Sequence, residues 1–393
     1  MNLAAAFGSL VGVGAATLVS MRLGQRDYET AQNILGNVVV LNLIIGLSFG
    51  LVTLLFLDPI LYFFGASDAT IGYARDYMTI ILLGNVITHM YLGLNSVLRA
   101  SGHPRKSMYA TIYTVVINAA LDPLFIFTFG MGIRGAALAT ILSQLVGFCL
   151  LLTGVYVSGG IRIRLCLFSP SPARYADLAR GGIPSLCRQG LASIAVTCLN
   201  TAARPYGDAA IAAMSIVTRV SQFAGSAMIG FGQGFQPVCG FNYGARKYER
   251  VTRGFRFCVK ASSLILLTLA VLGFLFAPQI IAVFRGDDPE VVRIGAKTLR
   301  LQCISFPVTG FVVMSNMLLQ NIAMTLRASV VAAARQGLFF VPFALILPHL
   351  FGLAGVQCCQ AASDLCAFIL ALCVTLPVVR QLSRGENPVE YRK

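Results

Sequence analysis

Three oxygen-bearing side chains, Asn118, Asp122 and Thr140, are spaced so that they can meet inside an otherwise apolar wall. Asn118 and Asp122 stand one turn apart on the same face of a helix. Asp122 falls about six residues, or ~9 Å, from the outer end of that helix at 1.5 Å per residue. Thr140 falls about six residues into the next, antiparallel helix and so reaches a similar depth. Pro123 lacks an amide hydrogen, which frees the carbonyl of Ala119. A carboxylate, an amide oxygen, a hydroxyl and a carbonyl at one level are hard ligands of the kind Na⁺ takes. A lone carboxylate there can equally exchange a proton. The bland alternative is an acid hydrogen-bonded only to hold helices together, but an ionisable group inside a span is a functional candidate by default.

A second buried acid, Asp364, lies in the last apolar run. It can contact a cationic substrate, couple to protons, or anchor helices through Ser363 or Gln360. Arg219 lies about eleven residues into its run, near mid-depth, and needs water or a partner; a structural ion pair is the expectation. Arg188 lies one turn from the inner end of its run, where it can snorkel, and Arg335 is placed at an inner boundary. The eleven cysteines are scattered with no CxxC and read as reduced, buried apolar side chains. His89, His103 and His349 are isolated, without metal-ligand spacing, and no GxxxxGK[ST] is present. No bound cofactor, nucleotide hydrolysis or enzymatic activity is expected; Na⁺ or H⁺ enters only as a coupling ion.

The elements that carry these residues are membrane helices. Of 393 residues, 57% are hydrophobic and 11% charged, against about 25% charged in a soluble domain. A bilayer core takes roughly 20 apolar residues per helix. Runs of that kind occur at about 3–20, 33–57, 77–98, 107–128, 135–157, 183–203, 208–238, 255–284, 297–320, 334–350 and 356–379. Span 33–57 is featureless and is expected to face lipid. The net charge of +15 does not mark a nucleic-acid partner, because it is sorted by side. Arg22, Arg26, Arg99, Arg105, Lys106, Arg162, Arg164, Arg246, Lys247, Arg250, Arg392 and Lys393 fall on one set of alternate turns. The opposite turns collect Asp58, Asp68, Asp76, Asp208, Asp287, Asp288 and Glu290. That is the positive-inside bias, and it puts the C-terminus in the cytoplasm; the expected location is the cell inner (plasma) membrane.

The chain is also duplicated. At an offset of 220 residues Gly12, Gly14 and Gly24 match Gly232, Gly234 and Gly244, and Arg26, Tyr28 and Glu29 match Arg246, Tyr248 and Glu249. The same offset pairs Gly132 with Gly352, Gly135 with Gly355, and Ser143 with Ser363. The second copy has a helix near 183–203 with no counterpart, so a first helix is expected to be missing, leaving 11 of 12 spans. The expected organisation is an N-terminal lobe at 1–157 and a cytoplasmic connector at 158–182, in which Asp177 to Arg180 form a short interfacial helix. A C-terminal lobe at 183–380 and a tail at 381–393 follow. Both copies start and end on one side, which predicts parallel repeats around a central cavity.

Several stretches resemble one family. GQGFQPVCGFNYGARK at 232–247, LDPLFIF at 121–127, GIRGAALAT at 132–140, RQGLFFVP at 335–342 and the segment from Tyr206-Gly207-Asp208 are similar to MATE transporters of the MepA-like multidrug branch. The resemblance covers essentially the whole chain. It implies an all-α protein of two helical lobes, a monomer that exports organic cations and drugs in exchange for H⁺ or Na⁺. It also implies a cation site at Asn118, Asp122 and Thr140. Members of some branches carry a Glu on the seventh helix and an Asp on the tenth. Here those spans hold Gln189 and no acid, which shifts the expected coupling to Asp122. The rival reading is a flippase or exporter of lipid-linked or metabolic substrates in the same superfamily.

Overall fold

The computed structural model describes residues 2–63, 67–68, 70–157 and 171–388. Among them every regular element is helical. The helices are α1 (Asn2–Gly24), α2 (Tyr28–Leu55), α3 (Leu57–Phe63), α4 (Ile71–Leu83), α5 (Asn85–Ala100), α6 (Pro104–Pro123) and α7 (Gly132–Val157). They continue with α8 (Pro172–Ala203), α9 (Asp208–Gly244), α10 (Tyr248–Leu275), α11 (Ala277–Arg285), α12 (Pro289–Asn321), α13 (Thr325–Ala333), α14 (Phe340–Phe351) and α15 (Leu353–Ser383). Among the described residues eight helical stretches are long and apolar enough to cross a membrane, nine if the bent pair α4 and α5 is one span. The helices α8 and α9 have the length but carry more polar side chains, including Arg188, Gln189, Arg219 and Gln222.

The duplication is visible in the backbone. Helices α2 and α10 begin at 28 and 248 and end at 55 and 275, a shift of 220 at both ends. The turns before them repeat bond for bond. Arg26 N–H donates to Leu23 O and Asp27 N–H to Arg22 O; Arg246 N–H donates to Tyr243 O and Lys247 N–H to Asn242 O. This pair of bonds is the Schellman closure of a helix C-terminus. It forces a left-handed residue, and both copies place an arginine there, at φ 62° and 57°. Gly132 and Gly352, at φ 55° and 58°, open the last helix of each copy.

By contact the chain divides into two compact units, Met1–Leu186 and Cys187–Lys393. In the first, α1 packs on α2 and α5, and α7 on α4, α5 and α6. Small residues set the approach: a Cβ on Gly12 would lie 3.1 Å from Gly93 Cα. In the second, α12 is central, touching α9, α10, α11, α13 and α15. Its core is built from Met214, Met228, Leu266, Leu299, Phe306 and Phe340.

Several sequence expectations need correction. The run at 77–98 is bent by 55° where α4 meets α5 at Gly84. The run at 255–284 is two helices, because α10 stops at Leu275 and α11 starts at Ala277. Span 33–57 is two-faced. Leu43, Ile44, Leu47 and Leu51 are exposed, while Asn42, Gly46 and Gly50 are buried; Gly46 packs on Val86 and Gly50 on Leu82. Asp177 to Arg180 belong to the long helix α8 rather than to a separate short one, and Arg180 bonds Asp177 at 3.4 Å. Within the first unit this part of α8 is clamped to α1, since a Cβ on Gly14 would meet Leu178 O and one on Gly182 would meet Leu10 O. Arg162 and Arg164 of the connector, and Arg392 and Lys393 of the tail, lie outside the described residues.

Candidate functional site

Helix α6 carries Asn118 and Asp122 near its C-terminal end and stops on Pro123, which cannot extend the hydrogen-bond ladder. The chain answers with a π-helical turn at Leu124–Thr128, in which Phe129 N–H donates to Leu124 O at 3.0 Å. Such turns in a helix often mark functional positions. Asn118 Nδ2 donates to Asp122 Oδ1 at 3.3 Å, and both side chains are half-buried. No ion pair to Asp122 exists among the described residues. Tyr77 of α4 lies within electrostatic range of it. The carboxylate therefore keeps acceptor capacity unused, and no basic side chain among the described residues pairs with it.

Thr140 sits on α7, which packs along α6. Its hydroxyl donates to Ala136 O at 2.9 Å and its carbonyl accepts Ser143 Oγ at 2.8 Å. The structure thus joins Asn118 to Asp122 directly and leaves Thr140 hydrogen-bonded within its own helix, its oxygen free to accept.

Asp364 is different in every respect. It is 1% exposed, and three donors hold it. Arg335 Nε reaches Oδ1 at 2.7 Å, Gln360 Nε2 the same oxygen at 2.9 Å, and Ser305 Oγ reaches Oδ2 at 2.9 Å. Ser363, named as a possible anchor, turns instead to the backbone carbonyl of Arg335 at 2.7 Å. Arg335 is not at an inner boundary: its helix begins at Thr325, and it occupies a second π-helical turn, Ala334–Leu338, between α13 and α14. The missed signal was a polar rule, that an arginine and an acid in neighbouring spans should be tested as a pair.

The other candidates fare unevenly. Arg219 is exposed on α9 and forms no ion pair among the described residues, so the expected structural pairing does not occur. Arg188 does not snorkel outward; its Nη1 donates to Asn316 Oδ1 at 3.2 Å while its Nε is buried without a partner. Gln189 is half-buried beside it. Among the described residues no group of three metal-ligating side chains occurs.

Comparison with known proteins places this geometry. The MatE family model matches residues 1–124 and 184–346. The chain is 28% identical over 366 residues to the multidrug export protein MepA of Staphylococcus haemolyticus strain JCSC1435, covering 93% of this chain and 80% of that protein. It is also 28% identical over 373 residues to MepA of Staphylococcus aureus strain MSSA476, covering 94% and 82%. A MATE protein crystallised in complex with MaL6 superposes with TM-score 0.91 at 27% identity, over 98% of this chain and 87% of that one. An outward-facing multidrug resistance MATE transporter of the MOP superfamily does so with TM-score 0.91 at 27% identity, over 97% and 86%. With its family model matched across both halves and its helices superposing on solved members, this chain belongs to the MatE family of membrane transporters and is not an enzyme.

Proposed function

We propose that the chain is a secondary active antiporter that exports organic cations and drugs across the inner membrane in exchange for H⁺ or Na⁺. The observation that carries this reading is Asp122. It is a carboxylate inside a membrane span, in contact with Asn118 and paired with no base among the described residues. Such a group must take up a positive charge from outside itself, and a proton or Na⁺ entering beside Asn118 and the Thr140 hydroxyl supplies it. The site would be exposed alternately to the two sides, and the gradient would set the direction. One charge moved through the membrane potential is worth about 2.3 kcal/mol per 100 mV. The names of the relatives, multidrug export proteins, support drugs as cargo.

The test is ethidium efflux from cells in which Na⁺ and pH gradients are imposed separately. Asp122→Asn should bring coupled efflux down to that of cells lacking the protein, with the variant present in the membrane at the normal level. Wild-type efflux by the variant would overturn the assignment. Efflux that ignores both gradients would overturn antiport itself, as expected of a flippase.

A further inference from the structure

We propose that Arg335, aimed by Asp364, is the recognition residue for the carboxylate of a zwitterionic organic substrate. This deepens the antiporter reading and rests on it. Asp364 engages the guanidinium through Nε alone, at 2.7 Å. Neither Nη nitrogen has a hydrogen-bond partner among the described residues, and neither is a buried unsatisfied atom. The Arg335 side chain keeps 21% of its surface exposed while the Asp364 side chain keeps 1%. The pair therefore has an inside and an outside: a sealed carboxylate fixed by Ser305 and Gln360, and an open guanidinium edge.

Depth decides what that edge can face. Arg335 follows Thr325 by ten residues, which puts it ~15 Å along its span at 1.5 Å per residue. An open guanidinium fork at that depth is not tolerated against hydrocarbon, so the exposed edge marks water or cargo. The two Nη groups form the planar fork that matches a carboxylate with two parallel hydrogen bonds. The backbone fixes the direction. Ser363 Oγ holds the Arg335 carbonyl at 2.7 Å, and Gly337, two residues on, packs against Leu191 of α8 so closely that a Cβ would lie 2.8 Å from it. Arg335 touches the substrate in this assignment; Asp364, Ser363 and Ser305 are positioning residues.

The prediction is a split by substrate class. Cells expressing the full chain are loaded with norfloxacin, which carries an amine and a carboxylate, or with ethidium, which carries only positive charge. Arg335→Lys keeps the charge and loses the fork, and Arg335→Gln loses both. Norfloxacin efflux should fall at least about tenfold in each, the scale of a charged hydrogen bond, while ethidium efflux is unchanged. Asp364→Asn should raise the apparent KM for norfloxacin and leave that for ethidium fixed, which a purely structural pair would not do. Retained ethidium efflux certifies folding. Equal loss of both substrates, or of neither, overturns the proposal. A wild-type chain that exports ethidium but not norfloxacin overturns it while leaving the antiporter reading in place; export of neither defeats that reading, and this one falls with it.

Discussion

The two halves of this molecule descend from one unit, yet each treats its intramembrane acid in the opposite way. In the first, Asp122 meets one amide at 3.3 Å and no base among the described residues. In the second, Asp364 is sealed by an arginine, a glutamine and a serine. The repeat position of Asp364 is Gln144, a neutral amide that accepts Thr88 Oγ1 at 2.5 Å. The same depth in the same fold thus holds an amide–hydroxyl pair in one copy and a charge network in the other. Duplication fixes where polar groups sit; what each copy does with the position is set by whether a countercharge is supplied. A charge with its partner built in cannot exchange with solvent ions cheaply, whereas one without it keeps acceptor positions open.

The largest predicted effect breaks the sealed pair. Asp364→Leu leaves Arg335 buried on one side without its carboxylate, at a cost of about 3–5 kcal/mol. Adding Arg335→Met removes the orphan charge and should recover most of that, because replacing both members of a buried pair by apolar groups is often neutral. A double-mutant cycle on the thermal midpoint in detergent measures the coupling. By comparison, Asp122→Asn should shift the midpoint little, since no partner is stranded. A stable Asp364→Leu or an unfolded Asp122→Asn would erase the contrast between the halves.

A smaller effect tests the glycines that the repeat pairs. Gly14 and Gly234 match at the offset of 220, but a Cβ on Gly14 would lie 2.1 Å from Leu178 O, and one on Gly234 would meet nothing within 4 Å. Gly14→Ala forces two backbones apart and should cost about 1–3 kcal/mol or more. Gly234→Ala should gain about 0.5–1 kcal/mol, because alanine loses less backbone freedom in a helix interior. Thermal midpoints of the two variants, taken side by side, should move in opposite directions.

Much of this was legible in the sequence. The glycines and the Arg-x-Tyr-Glu turns announced the duplication because they are backbone requirements, and backbone requirements survive divergence. The adjacency of Asn118 and Asp122 followed from helical period alone. What the sequence hid were breaks and partners. Hydropathy is indifferent to a bend, so the kinks at Gly84 and Phe276 passed unseen. Thr325–Ala333 carries Arg327 and Ser329 and reads as a loop end, which draws the span boundary to 334 and places Arg335 at an inner boundary. Its pairing with Asp364 is a contact across 29 residues that no local pattern encodes. For Arg219 the depth was readable but the face was not, and its side of α9 turns out to be exposed.

The smallest effect lies in the turn that both halves share. Asp27 caps α2, its Oδ1 accepting Thr30 N–H at 3.1 Å, and Arg22 stands 3.6 Å from its other oxygen. The Thr30 bonds hold its carboxyl below the ordinary value of 3.8, with Arg22 adding to the shift. The matching residue in the second half is Lys247, which leaves α10 without a side-chain cap. Asp27→Ala should cost about 0.5–2 kcal/mol, and Lys247→Asp should gain a similar amount by restoring the missing bond. The pH dependence gives the sign. A carboxyl whose pKa is depressed in the fold stabilises fully above its unfolded value of 3.8 and loses that contribution as pH falls through the folded value. The midpoint difference between wild type and Asp27→Ala should therefore be constant from neutral pH down to about pH 5 and shrink below 3.8, and Lys247→Asp should gain stability over the same upper range. A difference that persists unchanged at pH 3 would mean that the ionised carboxylate of Asp27 is not the source of the stabilisation, and that this asymmetry between the two turns does not rest on a charged cap.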